Sequence, residues 1–283
     1  MEWIERLNNT MDYIEEHLME KIDYEQLAKI AGCPNYHFQK TFLYMTNISL
    51  NEYIRKRRIS LAAVDIQSGK DKIIDIALKY GYESPTAFNR AFQSIHGIAP
   101  STVRKKSVRL KSFPPLKFSF SLQGFKELNY RIEHKNSFRI LGISFPLSKI
   151  LLENFNNIPC KWNNALNNGT LTQLANLNNQ SPQGLLGVCI HYQDDWRYFI
   201  AVSSNSSNEL FENYTISEAT WAIFSGHGTN KNLQELQQQV ITEWLPTSGY
   251  EYANIPDIEV YLKADPNDCI YEYWLPIIKN KEL

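Results

Sequence analysis

The sequence predicts two domains of different class: an all-α N-terminal domain with two helix-turn-helix motifs, then an α+β domain of two β-α-β-β repeats with antiparallel sheets. Three observations carry this. A pattern of apolar residues closed by a turn glycine occurs twice before Pro100, helical periodicity breaks at Pro114-Pro115, and a strand-helix-hairpin order recurs beyond that break.

Residues 1–106 form the helical domain. In the opening helix, Glu2 to Glu20, residues Ile4, Leu7, Met11, Ile14 and Leu18 recur at spacings of three and four, a core-facing stripe. Asp23 to Asn47 reads DYEQLAKIAGCPNYHFQKTFLYMTN, and Ile73 to Arg104 reads IIDIALKYGYESPTAFNRAFQSIHGIAPSTVR. Leu27, Ala28 and Gly32 match Ile76, Ala77 and Gly81, while Phe38 and Phe42 match Phe88 and Phe92 with one residue added in the turn. In the second copy, Ile73, Ile74, Ile76, Ala77 and Tyr80 form one apolar face, and Gly81 ends the helix because a left-handed cap is cheap only without a Cβ. Ser84 then caps a helix with Pro85 at its first position. That helix buries Phe88, Ala91, Phe92 and Ile95 and turns Thr86, Asn89, Arg90 and Gln93 outward. Leu50 to Gln67 is one long connecting helix.

A single helical hairpin of this kind is common in all-α proteins with no nucleic-acid role. Two on a rigid spacer would place two recognition helices in successive major grooves, about 34 Å apart. The base-reading candidates are Asn35, Tyr36, Gln39 and Lys40 in the first motif and Thr86, Asn89 and Arg90 in the second. Arg and Lys suit guanine edges, and Asn and Gln suit adenine. The reading requires both polar faces to be free and in common alignment. The runs Arg55-Lys56-Arg57-Arg58 and Arg104-Lys105-Lys106 are candidate phosphate contacts. Net charge is −1 overall, but residues 1–111 hold 17 Lys and Arg against 13 Asp and Glu, and the remainder 12 against 17.

The motif IxxIAxxxGYxSxxxFxRxFxxxxGxxP, Ile73 to Pro100, with its partial copy upstream, resembles the DNA-binding domain of AraC-family transcription regulators over roughly the first 106 residues. The resemblance implies a transcription activator with double-stranded DNA and RNA polymerase as partners. It places base contacts on Tyr36, Gln39, Lys40, Thr86 and Arg90. The departures are Pro34 in place of a serine cap, Lys40 in place of arginine, and Thr102-Val103-Arg104 where a tyrosine precedes the final arginine.

Residues 107–129 read as a linker that can include a strand. In residues 130–283, SFRILGISF is a strand followed by a helix through Trp162, and GLLGVCIHY with WRYFIAVSS forms a hairpin around Gln193-Asp194-Asp195. The order repeats as ATWAIFSGHG, the helix NLQELQQQVITEWL, and a hairpin of DIEVYLKA and CIYEYWLPII around Asp265-Pro266-Asn267-Asp268, leaving a groove between the two halves. Ser203 to Glu218, rich in Ser and Asn, reads as a surface loop.

Alternation puts Ile258, Val260 and Leu262 under a helix, with Glu259 and Tyr261 facing the other way. In the last strand Leu275 and Ile277 share the helix-packed face, leaving Glu272 and Trp274 opposite. Two carboxylates interleaved with aromatics on one face suit a hydrophobic cation, a reading preferred to the alternative of a solvated face partly covered by Tyr and Trp. WLPTSGYEY, IEVY and YWLPI resemble the GyrI-like effector-binding domain over roughly residues 130–280. The resemblance implies a small hydrophobic, cationic effector held at Glu259, with the later acid–aromatic pair on Glu272 and Trp274; Tyr198 and Phe224 are further candidates. Trp162 and Trp244 read as core.

Some GyrI-like relatives are hydrolases, so a hydrolase or drug-sequestering protein using Glu259 is the alternative. No Ser-His-Asp arrangement, phosphate loop, dinucleotide fingerprint or HExxH is present, and the four cysteines lack CxxC spacing, so no metal or cofactor is expected. No apolar run reaches the ~18 residues of a membrane span, and the N-terminus lacks a signal pattern, which predicts a cytoplasmic chain without a membrane partner.

Overall fold

The computed structural model describes residues 2–105, 108–119, 127–148, 150–192, 195–265 and 268–279. The chain divides into two compact units, Met1–Ala31 with Thr46–Phe120, and Gly32–Met45 with Ser121–Leu283.

The first unit is helical: α1 (Glu2–Glu16), α2 (Tyr24–Ala31), then, after α3 (Asn35–Thr46), α4 (Leu50–Ser68), α5 (Ile73–Lys79), α6 (Pro85–His96) and α7 (Pro100–Lys105). Helix α1 stops at Glu16, four residues short of expectation, but Leu7, Met11, Ile14 and Leu18 are buried as the stripe requires. The connecting helix α4 ends on Gly69 in the left-handed region. Around it Ile59, Ala62, Ala63 and Ile66 pack with Ile76, Ala77, Tyr80, Phe88, Phe92, Ile95 and Val103. Ile74 departs from expectation and is exposed. It is one step around α5 from the buried Ile76–Ala77 pair, beyond the width of a single face. Gly81 (φ +78) turns the chain, with the Tyr82 N–H closing on Ala77 O at 3.0 Å. Residues 108–119 carry no helix or strand, yet Phe118 is buried, and its backbone N–H and carbonyl bond the Asn8 side chain at 2.8 and 3.0 Å.

The second unit contains α3, save its last residue, and a nine-stranded antiparallel sheet ordered β1 (Tyr130–Lys135), β6 (Ala219–Gly228), β9 (Cys269–Lys279), β8 (Ile258–Lys263), β3 (Leu185–Tyr192), β4 (Asp195–Ser203), β2 (Phe138–Pro146) and β5 (Glu212–Ile216), with β7 (Tyr250–Tyr252) beside β9. The first repeat is β2 (Phe138–Pro146), α8 (Leu151–Asn167), β3 (Leu185–Tyr192) and β4 (Asp195–Ser203); an added helix α9 (Thr170–Leu177) precedes β3. The second is β6 (Ala219–Gly228), α10 (Asn230–Gln239), β8 (Ile258–Lys263) and β9 (Cys269–Lys279). Helix α10 continues through a π turn, Val240–Trp244, into a 3-10 turn. The repeats join as one sheet where β3 pairs β8, Gly187 opposite Glu259. Three strands were not expected: β1 (Tyr130–Lys135), β5 (Glu212–Ile216) and β7 (Tyr250–Tyr252). β1 pairs β6 and β5 pairs β2, so each repeat lends an edge strand to the other. The surface-loop reading of Ser203 to Glu218 is therefore corrected: it contains β5, and Ser203 and Ser204 are fully buried. Of the two expected hairpin turns, Gln193-Asp194 and Pro266-Asn267 lie outside the described residues.

The stripe on α6 makes the helical core sensitive to truncation. Phe92→Ala should lower the unfolding free energy of the first unit by about 3–5 kcal/mol, read by urea denaturation with α-helical circular dichroism.

Candidate functional site

The second motif presents its outer face as expected. The Ser84 hydroxyl accepts the Ala87 N–H at 3.0 Å and fixes the start of α6, whose Thr86 and Arg90 are exposed and whose Asn89 is half-buried. The first motif does not, so the requirement for two free faces is not met in this arrangement. Of the twelve residues of α3, His37, Phe38, Lys40, Thr41, Phe42, Leu43 and Tyr44 are buried, while Asn35, Tyr36 and Gln39 are half-buried. The free polar face expected there is absent, because aromatic residues ring the helix: Tyr36, Phe38, Phe42 and Tyr44 cannot share one stripe. The basic run on α4 is also largely committed. Arg57 grips Glu15 at 2.6–3.0 Å, Arg58 donates to the carbonyls of Leu18 and Glu20, and Lys56 pairs Glu52 at 2.8 Å. Arg55 stays exposed. In the later run Arg104 bonds the Asp71 carbonyl, and Lys106 lies outside the described residues.

Within the second unit the buried Lys40 ammonium sits 3.3 Å from Asp257 Oδ2 and 5.9 and 5.7 Å from the ring centres of Tyr44 and Tyr273. The Tyr273 hydroxyl donates to the same Asp257 oxygen at 2.8 Å. Burial is the largest single influence and opposes the Lys40 charge, but Asp257, Tyr44 and Glu259 together outweigh it, so the lysine pKa is raised. Burial likewise opposes ionised Asp257, yet Lys40, His37 and the Tyr273 bond hold its pKa below the usual range. His37 stacks on Tyr252 with ring centres 3.7 Å apart, and burial lowers its pKa to about 4 against the pull of Asp257.

Beside this pair lies a small cavity of about 70 Å³ under α8 and α10, lined among others by Tyr36, Lys40, Trp162, Tyr198, Glu259 and Tyr261. Glu259 Oε2 accepts the hydroxyls of Tyr198 (2.8 Å) and Tyr261 (3.0 Å), and Oε1 accepts the Gln237 amide (2.8 Å). Trp162 Nε1 donates to the Tyr198 hydroxyl at 3.2 Å, and its ring lies 4.8 Å from that of Tyr261. Gly187 makes the convergence possible: a Cβ there would lie 2.1 Å from Tyr198 Oη and 2.7 Å from Glu259 Oε2.

The structure thus brings Glu259, Tyr261 and Tyr198 together but removes the other three ligand candidates. In the β8–β9 register Ile258 opposes Trp274 and Val260 opposes Glu272, so Glu272 and Trp274 occupy the face away from Glu259. There Trp274 Nε1 donates to Glu272 at 2.8 Å, and Arg131 pairs with the same carboxylate at 2.8 Å. Phe224 shares the Glu259 face but is fully buried against Tyr130 and Trp244. The assignment of β8 is also inverted. The helices cover Glu259 and Tyr261, whereas Ile258 and Val260 join a core cluster drawn from seven strands, and Leu262 is exposed. Both faces of β8 are buried, so alternation alone could not say which one meets the helices. Trp244 is core as expected, but Trp162 is a cavity residue. Gln237, Asp257 and Gly187 went unnoticed; only the interruption of a strand by Gly187 was a readable signal.

Residues 131–277 match a family described as integron-associated effector binding protein, and residues 27–106 match a helix-turn-helix domain family. The chain is 35% identical to the HTH-type transcriptional activator AarP of Providencia stuartii over 98 residues, 35% of this chain and 73% of AarP. It is 33% identical to the regulatory protein SoxS of Salmonella typhimurium over 100 residues, 35% of this chain and 94% of SoxS. The solved structure of SAV2435 bound to tetraphenylphosphonium aligns with 53% of this chain and 94% of its own, at 21% identity and a TM-score of 0.46.

His37 binds a proton more readily when unfolded than in place, so the second unit should lose stability as pH falls from 6.5 toward 4, by up to about 3 kcal/mol. The ion pair of Lys40 persists through this window because the Asp257 pKa lies below it. Urea denaturation across the window should show the loss in the wild type and a flatter profile in His37→Phe, which keeps a ring on Tyr252.

Proposed function

This chain belongs to the family of integron-associated effector-binding proteins, with an AraC-type helix-turn-helix domain on its N-terminal side, and we propose that its effector is a hydrophobic cation drawn to Glu259. The chain is a DNA-binding transcription regulator that responds to a ligand. The observation that carries the effector class is the setting of Glu259, a carboxylate ringed by Tyr198, Tyr261 and Trp162 on a helix-covered sheet face. Fixed negative charge and aromatic ring faces both attract a cation, and the rings also supply apolar surface.

Exposed Thr86 and Arg90 on α6 support base reading by the second motif. Activation is the reading supported by AarP, which is named a transcriptional activator, and an activator's further partner would be RNA polymerase. Among the described residues no helix is long and apolar enough to cross a membrane, and we read the protein as working on DNA in the cytoplasm. A binding role for Glu259 is favoured over hydrolysis because three neutral donors, from Tyr198, Tyr261 and Gln237, hold its carboxylate in place as a stationary acceptor.

Titration with tetraphenylphosphonium, read by Trp162 quenching, should lose at least about tenfold in affinity in Glu259→Gln (1.4 kcal/mol per tenfold) while the variant stays folded. Turnover lost with binding intact would favour the hydrolase. On DNA selected from a random pool, Arg90→Ala should cost about 1–3 kcal/mol at one base position. Equal weakening on every sequence would make Arg90 a phosphate contact.

A further inference from the structure

Helix α3 carries the side chains expected to read the first half of a DNA site, and two of them line the effector cavity. Lys40 and Tyr36 line it together with Glu259. The Lys40 ammonium rests against one carboxylate, Asp257, and near two tyrosine rings, the combination of charge and aromatic surface that suits a cationic ligand. We propose that Lys40 is a tethered surrogate for the effector: seated beside Asp257, it keeps α3 within the effector-binding unit, and a hydrophobic cation frees α3 for DNA by taking its place. This rests on the cation-sensor reading above.

Three further observations fit. The free volume of about 70 Å³ is far below the ~300 Å³ or more of a pocket for a drug-sized ligand, so an effector at Glu259 must displace part of the lining, and Tyr36 and Lys40 of α3 belong to that lining. The Tyr44 hydroxyl donates to Gln237 Oε1 at 3.0 Å, and the Gln237 amide donates to Glu259, so a ligand engaging Glu259 disturbs the anchor of α3 directly. The seat is also imperfect: His37 Nδ1 and Nε2 and Thr41 Oγ1 are buried with no hydrogen-bond partner among the described residues, which weakens the docked state and makes it releasable. Because one helix cannot fill the cavity and read bases at once, effector and DNA must each raise the other's affinity.

The test uses the full chain with tetraphenylphosphonium as probe and DNA selected from a random pool. Asp257→Asn removes the counter-charge of Lys40, and Tyr252→Ala removes the stacking surface of His37; neither residue lines the cavity or stands among the base-reading candidates. Wild-type DNA affinity should rise about tenfold with saturating cation, and amide hydrogen exchange in α3 should speed up. Each variant should bind DNA about tenfold tighter without cation and show less coupling between the two; Tyr252→Ala, which keeps both carboxylates, should also bind the cation more tightly. If one variant fails to fold, the other and wild-type exchange decide. Cation binding that is lost in Glu259→Gln, with DNA affinity unchanged or weaker in folded Asp257→Asn and Tyr252→Ala, overturns the surrogate and leaves the sensor standing. No cation binding by wild type or either variant overturns the sensor reading and the surrogate with it.

Discussion

A carboxylate among aromatic rings is costly unless donors answer it. Two such groups, Asp257 and Glu259, dictate the layout of the helix-covered side of the sheet. They are two residues apart at the start of β8, and between them they recruit five elements. Tyr198 comes from β4, Tyr261 from β8 itself and Gln237 from α10, while Tyr273 comes from β9 and Lys40 from α3. The requirement is geometric as well as electrostatic. Glu259 lies on the seam where the two repeats pair, opposite Gly187, and only a residue without a side chain there lets the Tyr198 hydroxyl reach it.

The two recognition helices illustrate how one motif can take on different duties. On α6, Phe88, Phe92 and Ile95 make a single stripe and the opposite side remains polar and free. On α3 the residues matching Phe88 and Phe92 are Phe38 and Phe42, but Tyr36, Leu43 and Tyr44 add apolar surface around the remaining circumference. A helix with apolar surface on two sides is satisfied only by two partners. Its lysine is then buried, which is tolerable because Asp257 supplies the opposite charge at hydrogen-bonding distance.

Much of the architecture was legible from the residues. Glycine-closed helices, the Ser84 cap and the long spacer follow from local chemistry: Gly81 needs no Cβ, Ser84 carries its own acceptor, and the Ile59–Ile66 surface shows helical spacing. Strands β2, β3, β4, β6, β8 and β9 were visible as β-branched and aromatic runs. The short edge strands β1 and β5 were not, since YRIEHK and ENYTI carry too little apolar periodicity to separate them from loop. At the candidate site, Glu259, Tyr261 and Tyr198 converge, whereas Glu272 and Trp274 lie on the opposite face of the sheet. The pattern of each strand reveals which residues alternate, but the pairing of Ile258 with Trp274 depends on the register between strands.

The division between the two levels follows from the range of the forces involved. Periodicity, caps and turn residues act over a few positions, so sequence alone determined two helix-turn-helix units, a duplicated β-α-β-β order and an acidic, aromatic strand at Glu259. Tertiary structure decided which face of β8 meets the helices. It also decided that Arg131 and Trp274 take up Glu272, and that Lys40 finds its counter-charge 217 residues away in Asp257 rather than on a phosphate. Those choices depend on which distant groups arrive together, because a buried charge takes the partner the fold delivers and no local pattern encodes that partner.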